Sequence, residues 1–360
     1  MIFVLAFLCG MTLLNYFTVI RMEKAKNLDD TIKVSVLIPL RNEGLRIAEL
    51  LAKVSKLVYS NCEIIFLNDE STDDTWEKLQ AFSGKKIRMV QGKPLPQGWV
   101  GKPWACWQLA EVASGDVLLF CDADVSMGSH SIQRTVSLME EHQADALTAL
   151  PYQDLPTAFE KAIIPFVMHL PILGLLPLRW VSRFKSPNLL VANGQWFAIR
   201  RKKYFGVDGH RSVSHSLLED MELGRNLARA GFTVVPVLAT HDLSVRMYDS
   251  WDAMKEGFTK NLYLLSGGNP WAATAVMGTS LWMYLGPILL ALYEKPGAGQ
   301  ALLLLIFFRS LAALTFRVSP GSVWLHPGGA LGFLWLLARS GVAHLKNQVS
   351  WRGRPVQTAN

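Results

Sequence analysis

Cysteine and charged residues are both scarce in this chain. Its 360 residues include four cysteines, none in Cys-x-x-Cys spacing and most in apolar context: Cys9, Cys62, Cys106 and Cys121. This excludes a motif built on that spacing and predicts reduced core cysteines, as expected in a cytosolic domain. Charged residues make up 18% of the chain against 50% hydrophobic residues, with 12 tryptophans. That balance is too apolar for a typical soluble protein and predicts membrane segments.

The first apolar segment lacks two marks of a cleaved signal peptide. Residues 1–20 are apolar apart from Asn15 and a few hydroxyls, with neither a basic start nor a small-residue cleavage site. We therefore predict a retained transmembrane anchor over residues 1–22. Basic residues follow at once, at Arg21, Lys24, Lys26 and Lys33. By the positive-inside rule they place the next domain in the cytosol.

A nucleic-acid-binding signature is also absent. The net charge is +7, yet neither a basic helix nor an RNA-binding aromatic motif accompanies it. The excess positive charge therefore predicts contact with the anionic headgroups of a lipid bilayer and no nucleic-acid partner.

Residues 33–245 alternate between short apolar runs and helical patterns. Strands are predicted at 34–39, 63–67, 88–91, 117–121, 146–150, 196–199 and 233–237, and helices at 44–57, 73–82, 104–113 and 131–142. This alternation predicts an α/β domain with a mostly parallel twisted sheet, an architecture that binds nucleotides but does not by itself define a function.

Two further segments carry apolar residues without a plain spanning pattern. Residues 162–178 include three prolines, which predicts an interfacial or re-entrant segment within the cytosolic domain. Residues 246–270 include apolar positions near helical spacing from 245 to 265. These predict an amphipathic helix that lies on the bilayer or, equally, one that covers the sheet.

The C-terminal part, residues 271–345, is predicted to be a transmembrane region. Two spans are clear at 272–293 and 298–316, whereas a third at 323–345 is interrupted by His326-Pro327-Gly328-Gly329. Three full spans would place the basic tail, 346–360, outside, against the positive-inside rule, so one span is expected to be re-entrant or interfacial.

The strand at 117–121 ends in Asp122-Ala123-Asp124. Ligands of open α/β sheets bind past the carboxyl ends of strands, and carboxylates at i and i+2 share a face. The pair could hold a divalent cation on a diphosphate; the alternative is a solvated loop or a helix cap.

Polar residues follow two more strands and open one helix. Arg41 and Glu43 follow the strand at 34–39, and Asp69 follows the strand at 63–67, where it could accept hydrogen bonds from a base or a ribose. Glu219 and Asp220 open an amphipathic helix. Two interpretations of these carboxylates are open: they compensate the helix dipole, or one of them is a general base beside a diphosphate.

Taken in order, five segments resemble a known family: VSVLIPLRNE, FLNDESTDDT, GKPWACWQLAEVASGDVLLFCDADV, ANGQWFAIRR and LLEDMELGRNLARAG. They are similar to the processive-type and lipid-acting inverting glycosyltransferases of family 2, over residues 34–241. The segments PLPQGWVGK and YDSWDAMKEGFTKN most resemble bacterial membrane enzymes associated with hopanoid and carotenoid lipids, and more distantly ceramide glucosyltransferases. The resemblance implies a GT-A-type nucleotide-sugar-binding domain and a bacterial plasma-membrane location.

The resemblance also implies roles for individual residues. Donor binding falls to Pro39, Arg41, Glu43, Asp69, Lys102 and Asp122, and binding of Mg²⁺ or Mn²⁺ to Asp124 with Asp122 and His241. Asp220 would be the general base, with Gly194, Gln195 and Glu219 on the acceptor side. For His241, a hydrogen-bonded surface histidine is an equal alternative.

One motif of the processive enzymes is missing. Their Gln-x-x-Arg-Trp sequence is replaced here by residues 258–262, FTKNL, so a polymer product is not expected. The prediction is transfer of one hexose, expected to be glucose, from a UDP-sugar to a hydroxyl or carboxyl group of a membrane lipid: a carotenoid, hopanoid, glycerolipid or sphingolipid. The alternatives are a polyprenyl-phosphate sugar synthase and a non-catalytic membrane scaffold with a degenerate transferase domain.

Overall fold

The computed structural model describes residues 1–26, 30–82, 87–351 and 354–355. The chain divides into two compact units. The sheet unit contains Ile20–Tyr152 and Arg179–Val245, and the helical unit contains Met1–Val19, Gln153–Leu178 and Arg246–Asn360. The predicted basic tail, 346–360, falls partly outside the described residues.

The sheet unit is built on one eight-stranded sheet. Its strands are β1 Val34–Leu40, β2 Cys62–Asn68, β3 Ile87–Gln91, β4 Val117–Cys121, β5 Val125–Met127, β6 Ala146–Gln153, β7 Trp196–Arg200 and β8 Val234–Val245. The spatial order is β3-β2-β1-β4-β7-β6-β8-β5. A short pair, β9 Ser350–Trp351 and β10 Arg354–Pro355, is antiparallel.

The helices alternate with these strands and then continue through the helical unit. They are α1 Ile2–Thr18, α2 Ile47–Val54, α3 Thr75–Gln80, α4 Gly101–Val112, α5 Ser131–Glu141, α6 Ala158–Ile164, α7 Leu170–Leu175, α8 Val181–Phe184, α9 Arg201–Gly206, α10 Glu219–Arg229, α11 Trp251–Leu265, α12 Pro270–Ser280, α13 Gly286–Leu292, α14 Ala298–Thr315 and α15 His326–Leu345.

The first four strands in spatial order, β3, β2, β1 and β4, are parallel. Each is a short apolar run, and β1 and β4 are buried almost throughout, as expected for central strands covered on both faces. The second half of the sheet departs from the parallel pattern, because β7 pairs antiparallel with β4 and β6, and β5 pairs antiparallel with β8. The carboxyl ends of β1, β2 and β4 therefore share one edge, as the sequence predicts.

In the helical unit, the segment predicted as interfacial or re-entrant forms a continuous helical run, Ala158–Leu175. Its prolines do not break the helix, since a π-helical stretch, Pro165–His169, joins α6 to α7. There the Leu170 N–H donates to the Pro165 carbonyl, five residues back, which absorbs the disruption that proline causes in a regular helix. An interfacial or re-entrant position for 162–178 stays a prediction.

Asn15 of α1 explains how α7 ends. Its buried side chain donates to the carbonyls of Leu173 (2.8 Å) and Leu176 (2.7 Å) and accepts from the N–H of Leu178 (3.0 Å). Carbonyls at a helix C-terminus lack partners within the helix, and a buried one must find another donor. The single amide in an apolar first helix therefore satisfies the end of a second helix.

Among the residues that the structure describes, three helical runs are long and apolar enough to cross a membrane: Ala158–Leu175, Pro270–Leu292 and Ala298–Thr315. The first helix, Ile2–Thr18, is apolar but shorter. The chain thus has the features of a membrane-associated protein.

The amphipathic segment forms α11, which belongs to the helical unit and packs against α15. Ser340 Oγ donates to the Thr259 carbonyl (2.7 Å) and accepts the Tyr263 N–H (2.9 Å).

The expected interruption at His326-Pro327-Gly328-Gly329 is wrong, because these residues form the first turn of α15. Proline is tolerated there, since the first N–H groups of a helix have no partner within the helix. Gly329 lets this turn approach α6: a Cβ at Gly329 would lie 2.2 Å from the Ala162 carbonyl oxygen.

We therefore expect Gly329→Ala to destabilise the helical unit by about 1–3 kcal/mol, the usual cost of overpacking. The adjacent Gly328→Ala is the matched control, because nothing lies within 4 Å of a Cβ there. Thermal unfolding of the purified protein in detergent measures both. Equal melting temperatures for the two variants would contradict the close approach.

Candidate active site

Several of the predicted site residues surround a pocket in the sheet unit, whose empty space is about 280 Å³ with open solvent included. Six of them line it: Pro39, Lys102, Asp122, Gly194, Glu219 and Asp220. They come from the carboxyl ends of β1 and β4, the first turns of α4 and α10, and the loop before β7. Each of these element ends presents backbone or side-chain polar groups. The pocket therefore lies past the carboxyl ends of the strands, where open α/β sheets bind their ligands.

Lys102 is the positive charge of this pocket. Its Nζ lies 2.8 Å from Asp122 Oδ1 and 3.1 Å from Glu219 Oε1, and so joins the end of β4 to the start of α10. Burial alone would lower the pKa of Lys102, but the carboxylates of Asp122, Glu219 and Asp220 outweigh it and hold that pKa well above its usual value. The ammonium is therefore permanently charged at any physiological pH.

Asp220 is held by backbone donors. The Gly194 N–H donates to Oδ2 (2.7 Å) and the Met221 N–H donates to Oδ1 (2.7 Å). Burial and the neighbouring Glu219 raise the pKa of Asp220 to about 6, against the opposing effects of Lys102 and the two N–H groups. A carboxylate with such a pKa is ionised near neutral pH yet basic enough to take up a proton.

Gly194 is needed at its position because the space beside it is already filled. A Cβ there would lie 3.1 Å from Lys102 Nζ and 3.2 Å from Asp220 Cβ. The flanking residues brace the loop: Asn193 and Gln195 exchange hydrogen bonds of 3.0 Å, and the Gln195 carbonyl accepts the Asp122 N–H (3.3 Å). Gln195 is buried, and its side chain supports the loop from within.

Asp124 lies between β4 and β5 and has an unsatisfied oxygen. Its Oδ1 is buried and accepts no hydrogen bond from the described residues. Burial and the adjacent Asp122 raise the pKa of Asp124 to about 7. A buried carboxylate oxygen without a donor is costly, and a bound cation removes that cost, so the residue fits the predicted divalent ion.

The described residues contain no cluster of three or more His, Cys, Asp or Glu side chains arranged around one metal position. An ion at Asp124 and Asp122 would therefore take its other ligands from phosphate and water. This is the usual arrangement for Mg²⁺ on nucleotides, which binds through one or two carboxylates and substrate oxygens.

The pocket is not lined by Arg41, Glu43 or Asp69. These residues lie next to it, in the loops that follow β1 and β2. Arg41 donates to the carbonyls of Asp69 (2.7 Å) and Glu70 (3.2 Å), which ties the loops after β1 and β2 together. The side chains of Glu43 and Asp69 are both buried at this edge.

His241 is not brought together with the two aspartates. It lies on β8, with its side chain 48% exposed and its Nε2 4.0 Å from Glu23 Oε1. Val245 pairs with Val125, the residue that follows Asp124. His241 lies four residues before Val245 on β8, roughly 13 Å from it at 3.3 Å per residue. Strand register, which a single sequence does not reveal, separates it from Asp124.

Sequence reasoning missed His210, which lines the pocket from a 3₁₀ turn before α10. Tyr204 Oη accepts the His210 backbone N–H (3.0 Å) and is also hydrogen-bonded to Nδ1 of the same histidine (2.9 Å). Burial lowers the pKa of His210 to about 3, so the ring is neutral. No spacing signal in the sequence marks it.

The chain is similar in sequence to known glycosyltransferases. Residues 35–205 match the family described as glycosyl transferase family 2. The chain is similar to a 4,4'-diaponeurosporenoate glycosyltransferase of Staphylococcus haemolyticus, 27% identical over 282 residues that cover 78% of this chain and 73% of the relative. It is also similar to the probable glycosyltransferase YdaM of Bacillus subtilis, 28% identical over 63% of this chain and 54% of that protein.

Among solved structures, the fold is similar to that of a mannosyltransferase from Pyrobaculum calidifontis in complex with GDP-Man and Mn²⁺. The TM-score is 0.51 at 16% identity, with 95% of this chain and 99% of that chain covered. The chain therefore carries a glycosyl transferase family 2 domain in a GT-A-like fold.

Proposed function

We propose that this protein is an inverting glycosyltransferase that transfers one hexose, glucose in the first instance, from a UDP-sugar to a hydroxyl or carboxyl group of a membrane lipid. The observation that carries the proposal is the Lys102 ammonium between Asp122 and Glu219. Beside it lies Asp220, whose carboxylate has a raised pKa and can take up a proton. The pocket thus combines a place for a nucleotide diphosphate with a carboxylate able to take up a proton.

The leaving group is the nucleoside diphosphate, whose developing negative charge needs compensation. Lys102 supplies a fixed positive charge at the pocket, in a site already organised before the donor binds. A divalent cation held by Asp124 and Asp122 would neutralise diphosphate charge when bound. Arg41 keeps the neighbouring strand ends, which carry Asp69 and Glu43, in fixed positions.

Asp220 would act on the acceptor. Its Oδ2 and Oδ1 are oriented by the Gly194 and Met221 N–H groups, and it can accept the proton of an acceptor hydroxyl during attack on the anomeric carbon. The attack takes place from the face opposite the departing diphosphate and inverts the configuration. An acceptor that is already a carboxylate needs no such proton transfer.

The lipid acceptor is supported by the apolar helical runs and by the relative named for diaponeurosporenoate. The basic residues after α1, including Arg21 and Lys24, support an integral protein of the bacterial plasma membrane with the sheet unit in the cytosol. Helices of this length and composition would contact the hydrocarbon that also holds such an acceptor.

The first test is Asp220→Asn. We expect kcat for transfer to a lipid alcohol to fall about 10²–10⁴-fold, the usual contribution of a general base, with binding of the donor retained. Radiolabelled UDP-glucose and extracted membrane lipids give the measurement. Glu222→Gln, on the same helix but paired with Arg225, is the matched control and should keep full activity.

Unchanged turnover of Asp220→Asn on a lipid alcohol would remove the base assignment. Full activity of the same variant on a polyprenyl phosphate, an acceptor that is already an anion, would favour the polyprenyl-phosphate synthase instead.

The rate should also depend on pH through Asp220. Because burial raises its pKa to about 6, the residue is protonated and inactive as a base below that pH and ionised above it. We expect kcat with an alcohol acceptor to rise through about pH 6 and to level off above pH 7. A profile flat between pH 5 and 8 at saturating donor and metal would contradict this.

The metal assignment is tested by donor binding. We expect Mn²⁺ or Mg²⁺ to tighten the binding of UDP-glucose, and Asp124→Asn to abolish that dependence, in calorimetric titrations with and without chelator. Asp116→Asn is the control, since Asp116 is exposed at the opposite end of β4. Preference for GDP-mannose over UDP-glucose in the same titration would overturn the uridine assignment, and no binding of either would favour a scaffold.

A further inference from the structure

The helical unit contains a buried arginine that no carboxylate accompanies. Arg309 of α14 is 2% exposed, and it takes part in none of the ion pairs between described residues. From residue 270 to residue 345 the sequence has a single acidic residue, Glu294, which lies between α13 and α14. An unpaired charge inside an apolar region is costly, and in membrane proteins it marks a functional site by default.

Other buried polar side chains surround this guanidinium. Its charge acts on His169, Tyr284 and His326, and its Nη2 donates to the Ser322 carbonyl at 3.2 Å. The group packs around the Phe166 ring, whose centroid lies 5.1 Å from Arg309 Cζ and 5.0 Å from the His326 ring. We call His169, Arg309, Ser322 and His326 the Arg309 cluster.

Hydrogen bonding within the Arg309 cluster is incomplete. Four of its buried atoms have no partner among the described residues: Arg309 Nε, His169 Nε2, Ser322 Oγ and His326 Nδ1. Buried polar atoms are normally paired, and each one left without a partner costs about 1–3 kcal/mol. The donors among them, concentrated around one cation, indicate a bound group that they would share. His326 Nδ1 is not one of these donors, because Nε2 of the same ring donates to the Tyr284 carbonyl (3.0 Å), which leaves Nδ1 of the neutral ring an acceptor.

The positive charge of the Arg309 cluster predicts that the bound group is an anion. Arginine and the positive end of α15, which begins at His326, both favour an anion. Arg309 Nε and Ser322 Oγ are donors, and a planar guanidinium matches the two oxygens of a carboxylate. The close approach that Gly329 permits holds the start of α15 against Ala162 and Phe166, so the site is rigid.

The apolar surroundings define the rest of the ligand. The His169 ring stacks on Phe316 at 4.0 Å between centroids, and Phe166 stacks on Phe333 at 6.1 Å. A phospholipid phosphate would bring its polar glycerol esters into this environment, whereas a fatty carboxylate is followed by hydrocarbon alone. The segment Pro320–Leu325, which contains Ser322, has exposed residues at Gly321 and Trp324.

We propose that the Arg309 cluster binds the carboxylate of a long-chain lipid acid inside the helical unit. This site belongs to the helical unit, shares no residue with the pocket of the sheet unit and does not depend on the proposed reaction. A carboxylate held there is neutralised by Arg309 and is a bound lipid group, not a nucleophile.

The test measures binding of radiolabelled oleate to the full chain, purified in a nonionic detergent, with oleyl alcohol as the neutral counterpart. We expect oleate to bind at least about tenfold more tightly than oleyl alcohol, and Arg309→Met to remove that preference, because a charged hydrogen bond contributes at this level. Arg339→Met is the matched control: its Nε already donates to Thr259 Oγ1 (3.2 Å), so oleate affinity should not change.

Thermal unfolding of each variant in the same detergent reports that the helical unit has folded. His169→Phe keeps the stacking on Phe316 but loses Nε2, and should weaken oleate binding several-fold. Equal affinity of the unmodified protein for oleate and oleyl alcohol would overturn the proposal without any variant. Displacement of oleate by phosphatidylglycerol at equal concentration would overturn the carboxylate assignment, and unchanged oleate affinity in Arg309→Met would show that Arg309 only packs on Phe166.

Discussion

The candidate site depends on one ammonium group between two carboxylates. Lys102 contacts Asp122 at the end of a central strand and Glu219 at the start of a helix, so three separate elements meet at a single charge. Removing that charge would leave the two carboxylates close together with Asp220 in a partly buried pocket, which Coulomb repulsion would open. The geometry of the pocket therefore follows from charge balance as much as from the packing of the sheet.

The charges in the pocket do not cancel, and the excess suits the proposed chemistry. Asp124 and Asp220 both have pKa values raised by burial and by a neighbouring carboxylate. The pocket carries more negative than positive charge, and a divalent cation would correct the excess on the Asp124 side. Asp220, on the other side of Lys102, keeps its basicity because burial and Glu219 outweigh the effects of Lys102 and of the two backbone N–H groups that orient it.

Much of this arrangement could be predicted from the sequence because its signals are local. The run 117–121 is apolar and bounded by turn residues, and β4 has the predicted bounds. The three-residue β5 is too short to produce a pattern, and β8 continues to Val245, well beyond its predicted end. His241 and His210 depend on register and on a 3₁₀ turn, which arise from tertiary contacts that a single sequence does not encode locally.

The pairing of β4 with β7 has a consequence for how this site can vary. Cys121 lies opposite Trp196, and the residues immediately beyond that pair are Asp122 on one strand and Gln195 and Gly194 on the other. The spacing between Asp122 and the Gly194 N–H that orients Asp220 therefore follows from the backbone pairing of β4 with β7. A single insertion between Gly194 and Trp196 would displace the N–H that supports Asp220 by a full strand step and reverse its face.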